Sequence, residues 1–210
     1  MAQNVTKTQT WAISTEPVPV PLQNKIVTEC YLEMLNLGHG ANHAILRVVF
    51  KHPQVKASPR APANTLGLVL NIETNGPLAP PSVPGDVVVR THAHTGTHQR
   101  AVRSIPLPVR GKKRVRHFLA VIKTAHLLPC FFDYMDPDAV GCRDFTSQYI
   151  YHLDQQKVLK LPANAADTIY DPFNYRYTAG GVANPHQPPR ALFGHHKFDH
   201  VTIMAVNLAP

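Results

Sequence analysis

Cysteine is scarce in this 210-residue chain, which has only Cys30, Cys130 and Cys142. Three cysteines at wide separations fit neither a disulfide framework nor a structural zinc site built from paired cysteines. Cys130 lies in the wholly apolar run 127–132, which predicts a position in the core. Cys142 has a more polar setting and is therefore the thiol with a candidate chemical role.

Long apolar runs are also absent. No segment approaches the ~18 apolar residues of a membrane-spanning helix, and residues 1–10 lack the hydrophobic region typical of a secretion signal. Hydrophobic residues make up 44% of the chain and charged residues 16%, which is typical of a globular domain rather than a disordered chain. We therefore expect a cytoplasmic protein with one domain over residues 25–210, no transmembrane segment, and an extended proline-rich arm over residues 1–24.

Acidic residues are few, with 13 Asp and Glu against 21 Lys and Arg, so the net charge is +8. Much of the excess lies in the run 110–117, which contains Lys112, Lys113, Arg114 and Arg116. Such a basic patch attracts phosphate groups, but a run of this kind is more often a solvated loop or a helix start. It has no interleaved aromatic residues for base stacking. We do not favour nucleic acid as a partner, and an anionic small molecule remains an alternative.

The segment that begins at Cys142 is the most informative part of the sequence. Phe145, Tyr149, Ile150 and Leu153 form one apolar stripe at helical spacing. The stripe places Cys142 in the first turn of a helix, where unpaired backbone N–H groups and the helix dipole lower the pKa of a thiol. Arg143 adds a cation beside it. The pattern predicts a nucleophilic cysteine, with a buried packing residue as the alternative.

A thiolate nucleophile needs a base, and His43 is the best candidate. It opens a β-branched, apolar run at 43–50, which predicts a buried strand with His43 at its start. A second predicted strand follows at 66–73, in which Asn71 and Glu73 share a face because side chains alternate along a strand. Either could accept a hydrogen bond from the imidazole and orient it, which is the third role in a Cys/His arrangement.

Three further histidines, His92, His94 and His98, raise the question of a metal. Two imidazoles one residue apart lie on one face of a strand, and a third nearby could complete a zinc triad. The intervening Thr-Gly-Thr instead indicates a hairpin turn between strands near 87–89 and 102–107. We interpret the three histidines as polar residues on an exposed hairpin, and we predict no metal or other cofactor.

Together these segments resemble the circularly permuted papain-like proteins, a group that includes the lecithin:retinol acyltransferase-like and NlpC/P60-like families. The resemblance rests on the early histidine strand, on a polar second strand, and on Cys142-Arg143-Asp144-Phe145, which is similar to a Cys-x-x-Phe helix start. It covers about residues 39–160. The chain also resembles an uncharacterised fungal family of small proteins that has the same helix start and a glycine-containing segment near the C-terminus, here 193–198.

The resemblance implies an α+β fold in which an antiparallel sheet packs against helices, and a hydrolase or acyltransferase that acts through a cysteine thioester. Cys142 would be the nucleophile, His43 the base and Asn71 the orienting residue, while Arg143 and Glu73 would bind a small-molecule or acyl substrate. One alternative is a non-catalytic binding or cyclase-type pocket of fungal metabolism. A second is a basic acyltransferase that interacts with a carrier or a transfer RNA.

Overall fold

The computed structural model describes residues 8–36, 43–54, 65–74, 82–128, 130–135, 138–140 and 142–185. The glycine-containing segment at 193–198 lies outside these ranges. The strands are β1 Thr10–Ala12, β2 Val27–Leu35, β3 His43–Gln54, β4 Thr65–Thr74, β5 Ser82–His92, β6 Ala101–Pro106, β7 Cys130–Met135, β8 Asp138–Val140, β9 Tyr175–Tyr177 and β10 Ala183–Pro185. The helices are α1 Val20–Gln23, α2 Val115–Thr124 and α3 Cys142–Gln155. A short π-helical turn, Ala166–Tyr170, and a 3-10 turn, Asp171–Asn174, precede β9.

Eight strands form one antiparallel sheet in the order β6-β2-β3-β4-β5-β7-β8, with β1 also paired to β5. A separate two-stranded sheet pairs β9 with β10. The fold is therefore α+β, as the sequence predicts, and the main sheet is antiparallel. None of the helices within the described ranges is long and apolar enough to cross a membrane.

The sheet has two different faces because side chains alternate along each strand. The inner face carries residues such as Leu46, Val48, Leu68 and Leu70, which form the core with α2 and α3. Four α3 residues contribute to this core, as the apolar stripe predicts: Phe145, Tyr149, Ile150 and Leu153. The outer face carries a small apolar cluster of Leu35, Ile45 and Val69 beside polar side chains. This outer face positions the candidate site.

Residues 10–24 pack onto the domain. In the part of residues 1–24 that the structure describes, the chain therefore does not form the extended arm that the sequence predicts. Trp11 lies on β1, and Val18 and Leu22 lie in and near α1. All three side chains are buried in the main core. A proline-rich composition does not distinguish an extended arm from a packed segment, because prolines also occur in edge segments and at the first turn of a helix.

The predicted hairpin between the strands near 87–89 and 102–107 is wrong. β5 pairs with β4, β7 and β1, whereas β6 pairs with β2 at the far edge of the sheet. Residues 93–100 must therefore cross over β4, β3 and β2, about 19 Å at ~4.8 Å per strand spacing. Eight residues span at most about 28 Å, so the segment crosses with little slack. We call residues 93–100 the crossover loop.

Candidate functional site

The structure brings Cys142, His43 and Asn71 together. α3 begins at Cys142 and packs on β3 and β4, and β3 begins at His43. Thr146, in the first turns of α3, ties the helix to β3, since its hydroxyl lies 3.4 Å from the Ala44 carbonyl and donates to the Cys142 carbonyl at 2.7 Å. Cys142, His43 and Asn71 all line one open cleft of about 720 Å³, which we call the Cys142 cleft.

A chain of hydrogen bonds fixes the orientation of the His43 imidazole. The Asn71 Nδ2 group donates to Glu73 Oε1 at 2.6 Å, so the amide oxygen of Asn71 is the atom that faces His43. His43 Nε2 is hydrogen-bonded to this oxygen. Because the oxygen can only accept, Nε2 carries the proton in the neutral imidazole. The other nitrogen, Nδ1, is therefore the one left to act on Cys142.

Glu73 is held in turn by Arg90. The two guanidinium NH groups of Arg90 contact both carboxylate oxygens of Glu73, one of them at 2.7 Å. The pKa of Glu73 is lowered overall: partial burial raises it, but the hydrogen bonds and charge of Arg90, together with the Asn71 hydrogen bond and the charge of His43, outweigh burial. Both oxygens of Glu73 are thus used within the protein. Glu73, which the sequence predicts to bind substrate, lines the Cys142 cleft, and its Oε1 accepts the hydrogen bond from Asn71.

The electrostatics of the thiol match those of a nucleophile. Burial raises the pKa of Cys142, but the charge of His43 and a hydrogen bond to it outweigh burial, and the Ala44 backbone adds a further hydrogen bond. The net result lowers the pKa of Cys142 from 9.0 to about 7. Burial lowers the pKa of His43, yet the Cys142 thiolate and the hydrogen bond to it raise that pKa overall. The pair favours the thiolate–imidazolium form.

The other two cysteines have the opposite environment. Cys30 and Cys130 are both buried, and burial raises the pKa of each thiol from 9.0 to about 12. A thiol with so high a pKa stays protonated and inert at neutral pH. Cys142 therefore stands apart from both.

Arg143, the other expected substrate-binding residue, is 1% exposed and does not line the cleft. Its guanidinium donates to the Phe173 carbonyl at 2.8 Å. Its charge contributes to lowering the pKa of Cys142, as the sequence suggested. A buried side chain tied to backbone is placed to support the site rather than to contact a substrate.

Sequence reasoning missed two arginines that line the cleft, Arg90 and Arg100. Arg90 follows three valines on β5. A charged residue directly after an apolar strand run was the signal in the sequence that could have indicated a functional side chain at this position. Arg100 is exposed at the end of the crossover loop, and its side chain makes no ion pair with another described residue. Glu73 is already neutralised by Arg90, so among the described lining residues the charge of Arg100 is left without an acidic partner.

The basic patch lies away from this site. The backbone N–H of Val27 donates to the Lys113 carbonyl, whereas the candidate site lies at the opposite, Leu35 end of β2. The two ends of this nine-residue strand are about 26 Å apart at ~3.3 Å per residue. Arg114 is the N-cap residue of α2, and Arg116 donates to Asn24 at 3.2 Å. The Cys142 cleft is lined by none of the four basic residues of this patch, Lys112, Lys113, Arg114 and Arg116.

His92, His94 and His98 do come together, but not on an exposed hairpin: His92 ends β5 on the outer face of the sheet, and His94 and His98 lie in the crossover loop. The His92 and His94 ring centroids are 4.5 Å apart, and those of His94 and His98 are 6.0 Å apart. His98 Nδ1 accepts from the Arg100 N–H at 3.2 Å, so its lone pair is already used. Within the described ranges, no three His, Cys, Asp or Glu side chains are arranged to hold a metal ion.

No protein-family model, curated protein sequence or solved structure matches this chain.

Proposed function

We propose that this protein is a thiol-dependent acyl-transfer enzyme, a hydrolase or acyltransferase, with a permuted papain-like arrangement of Cys142, His43 and Asn71. One observation supports it above the others: Cys142, at the first residue of α3, interacts with an imidazole whose Nε2–H is held by the Asn71 amide oxygen. These are the nucleophile, base and orienting group that cysteine acyl transfer requires.

The first half-reaction forms the thioester. The Cys142 thiolate attacks the acyl carbon of an ester or amide, so that a C–S bond forms and the carbonyl oxygen becomes an oxyanion. Unpaired backbone N–H groups at the start of α3 are the donors that would stabilise this charge. The bond from carbon to the leaving group then breaks, and the His43 imidazolium gives its Nδ1 proton to that group.

The second half-reaction releases the acyl group. Neutral His43 takes a proton from water, or from an acceptor alcohol or amine, as that oxygen or nitrogen bonds the acyl carbon. The C–S bond breaks, and the sulfur leaves as thiolate beside the imidazolium. Asn71 keeps Nδ1 aimed at the reacting atoms in both halves, because its amide is itself fixed by Glu73. The exposed guanidinium of Arg100 favours a substrate that carries a carboxylate or phosphate group.

Acyl trapping tests the proposal. The protein is mixed with p-nitrophenyl acetate, quenched early, and analysed by intact and peptide mass spectrometry. We expect one acetyl group on Cys142 that neutral hydroxylamine removes, as it removes a thioester. Cys142→Ala should lose the adduct, while Cys30→Ala, which removes a buried thiol, should retain it. An absent adduct together with equal ester hydrolysis by wild type and Cys142→Ala would overturn the proposal and favour a non-catalytic pocket.

A further inference from the structure

The outer face of the sheet carries a second cavity that the proposed chemistry does not use. It has a volume of about 360 Å³ and lies under the crossover loop. We call it the imidazole pocket, and its walls comprise Leu35, Ile45 and Val69 from the sheet and His92, His94 and His98 from the end of β5 and the loop. Its size is within the usual range of ligand sites.

The imidazole pocket continues from the Cys142 cleft. Leu35, Asn71, Arg90 and His98 line both cavities. Ile45 on its floor is two residues from His43 on the same face of β3, about 7 Å along the strand. A substrate whose acyl carbon lies at Cys142 can therefore extend past Asn71 into this pocket.

The walls define the chemistry of the group that would fit. The floor is the buried apolar cluster of Leu35, Ile45 and Val69. Burial lowers the pKa of His92 to about 4 and also lowers that of His94, with the charge of Arg47 acting in the same direction. Both imidazoles are therefore neutral at pH 7. Neither the apolar floor nor these neutral rings can balance the charge of an ionic ligand group. Apolar atoms and aromatic rings of a ligand, in contrast, can pack favourably against them.

Two imidazole nitrogens of the pocket walls point to a hydrogen bond. His92 Nδ1 and His94 Nε2 are both buried and have no hydrogen-bond partner among the described residues. Leaving such an atom unpaired is unfavourable, so a purely hydrocarbon occupant fits less well than one that carries a hydroxyl or an N–H group. The volume accommodates about a dozen water-sized groups at ~30 Å³ each, which suits a compact ring.

We propose that the imidazole pocket binds an uncharged, ring-sized part of the substrate through the Leu35, Ile45 and Val69 floor and a hydrogen bond to His94. This inference rests on the proposed function for the position of the reacting carbon. It adds a specificity site beside the catalytic residues.

Cysteine-directed probes of graded structure test the proposal. The rate of Cys142 alkylation is measured with iodoacetamide, with its N-(2-phenylethyl) derivative and with its N-[2-(4-hydroxyphenyl)ethyl] derivative. In wild type we expect the phenyl probe to react at least tenfold faster than iodoacetamide at low concentration, and the hydroxyphenyl probe faster still. Equal rates for all three probes would overturn the proposal.

Two variants separate pocket binding from intrinsic thiol reactivity. Val69→Phe fills the floor, and Gln99→Trp blocks the pocket from the loop, where the exposed side chain is not part of the core. Both should bring the ratio of the ring-probe rate to the iodoacetamide rate, measured in the same variant, down to about one. Thr97→Trp, on the same loop outside the lining, should keep the wild-type ratio and the wild-type iodoacetamide rate. His94→Phe should remove only the advantage of the hydroxyl. A ring advantage that survives both blocking variants contradicts the assignment.

Failure of the proposed function would look different. If Cys142 reacts with iodoacetamide no faster than Cys30, the catalytic proposal fails, and the pocket is then tested with unreactive N-acetyltyramine. Its binding is followed through the imidazole NMR signals of His92 and His94 in wild type and in Val69→Phe. Saturable shifts in wild type alone support the pocket, and no shift in wild type overturns it.

Discussion

Gly67 lies where β4 passes closest to its neighbours, and its replacement by alanine should be costly. An added Cβ would lie 1.9 Å from the Val48 carbonyl oxygen and 2.4 Å from His92 Nε2. The first of these atoms belongs to the backbone of the central strand β3, so it cannot move aside as a flexible side chain would. His92 Nε2 also donates to the same Val48 oxygen at 3.2 Å, and the clash would break this bond.

The magnitude follows from two contributions. Overpacking a well-packed interior costs about 1–3 kcal/mol, and loss of the buried hydrogen bond adds about 1 kcal/mol. We therefore expect Gly67→Ala to lower the free energy of unfolding by about 2–4 kcal/mol, or roughly 5–15 °C in Tm for a chain of this length. The measurement is urea unfolding followed by circular dichroism.

Gly96 supplies the matched control. It lies in the crossover loop, and a Cβ there would have no atom within 4 Å. Gly96→Ala should change the free energy of unfolding by less than ~0.5 kcal/mol. If Gly67→Ala is as stable as Gly96→Ala, the described packing of His92 against β3 and β4 is incorrect, and so is the wall of the imidazole pocket.

Two further predictions concern buried charge. Glu33 and Arg47 form a buried ion pair at 2.8 Å. Arg47→Met should lower the free energy of unfolding by about 3–5 kcal/mol because it leaves the Glu33 carboxylate without its cation, whereas the double variant Glu33→Leu/Arg47→Met should recover most of that loss. Equal urea midpoints for the single and double variants would contradict this prediction. Burial lowers the pKa of His92 from 6.5 to about 4, so below pH 6.5 the unfolded chain binds the proton more tightly than the folded chain does. Stability present above pH 6.5 is therefore lost as the pH falls, by about 2 kcal/mol at pH 5. His92→Gln, which keeps a donor for the Val48 carbonyl, should lose correspondingly less stability between pH 7 and pH 5.

Local patterns in the sequence were sufficient for the parts of the site that depend on periodicity. Strand alternation placed Asn71 and Glu73 on one face, and the helical stripe placed Cys142 at the start of α3. The same patterns could not predict that Arg90 pairs with Glu73, because Arg90 reaches it from a neighbouring strand. A strand pattern specifies which residues share a face but not which strands are neighbours.

The misplacement of His92, His94 and His98 has the same physical origin. A turn-like Thr-Gly-Thr between two apolar runs is typical of a hairpin, and only the pairing of β6 with β2 shows that the segment crosses the sheet. The crossing covers the outer face and creates the imidazole pocket. Such long-range pairing is a property of the whole sheet and has no local signal.

The pH dependence of Cys142 alkylation tests the central claim most directly. Iodoacetamide labelling of each cysteine, resolved by peptide mass spectrometry, should show a midpoint near pH 7 for Cys142, while Cys30 and Cys130 stay unlabelled because burial raises their pKa to about 12. In His43→Ala the midpoint for Cys142 should rise to 9.0 or above, since the burial that raises the pKa remains while the imidazolium charge is lost. A Cys142 that reacts no faster than the buried cysteines, or a midpoint that His43→Ala leaves unchanged, would contradict the account.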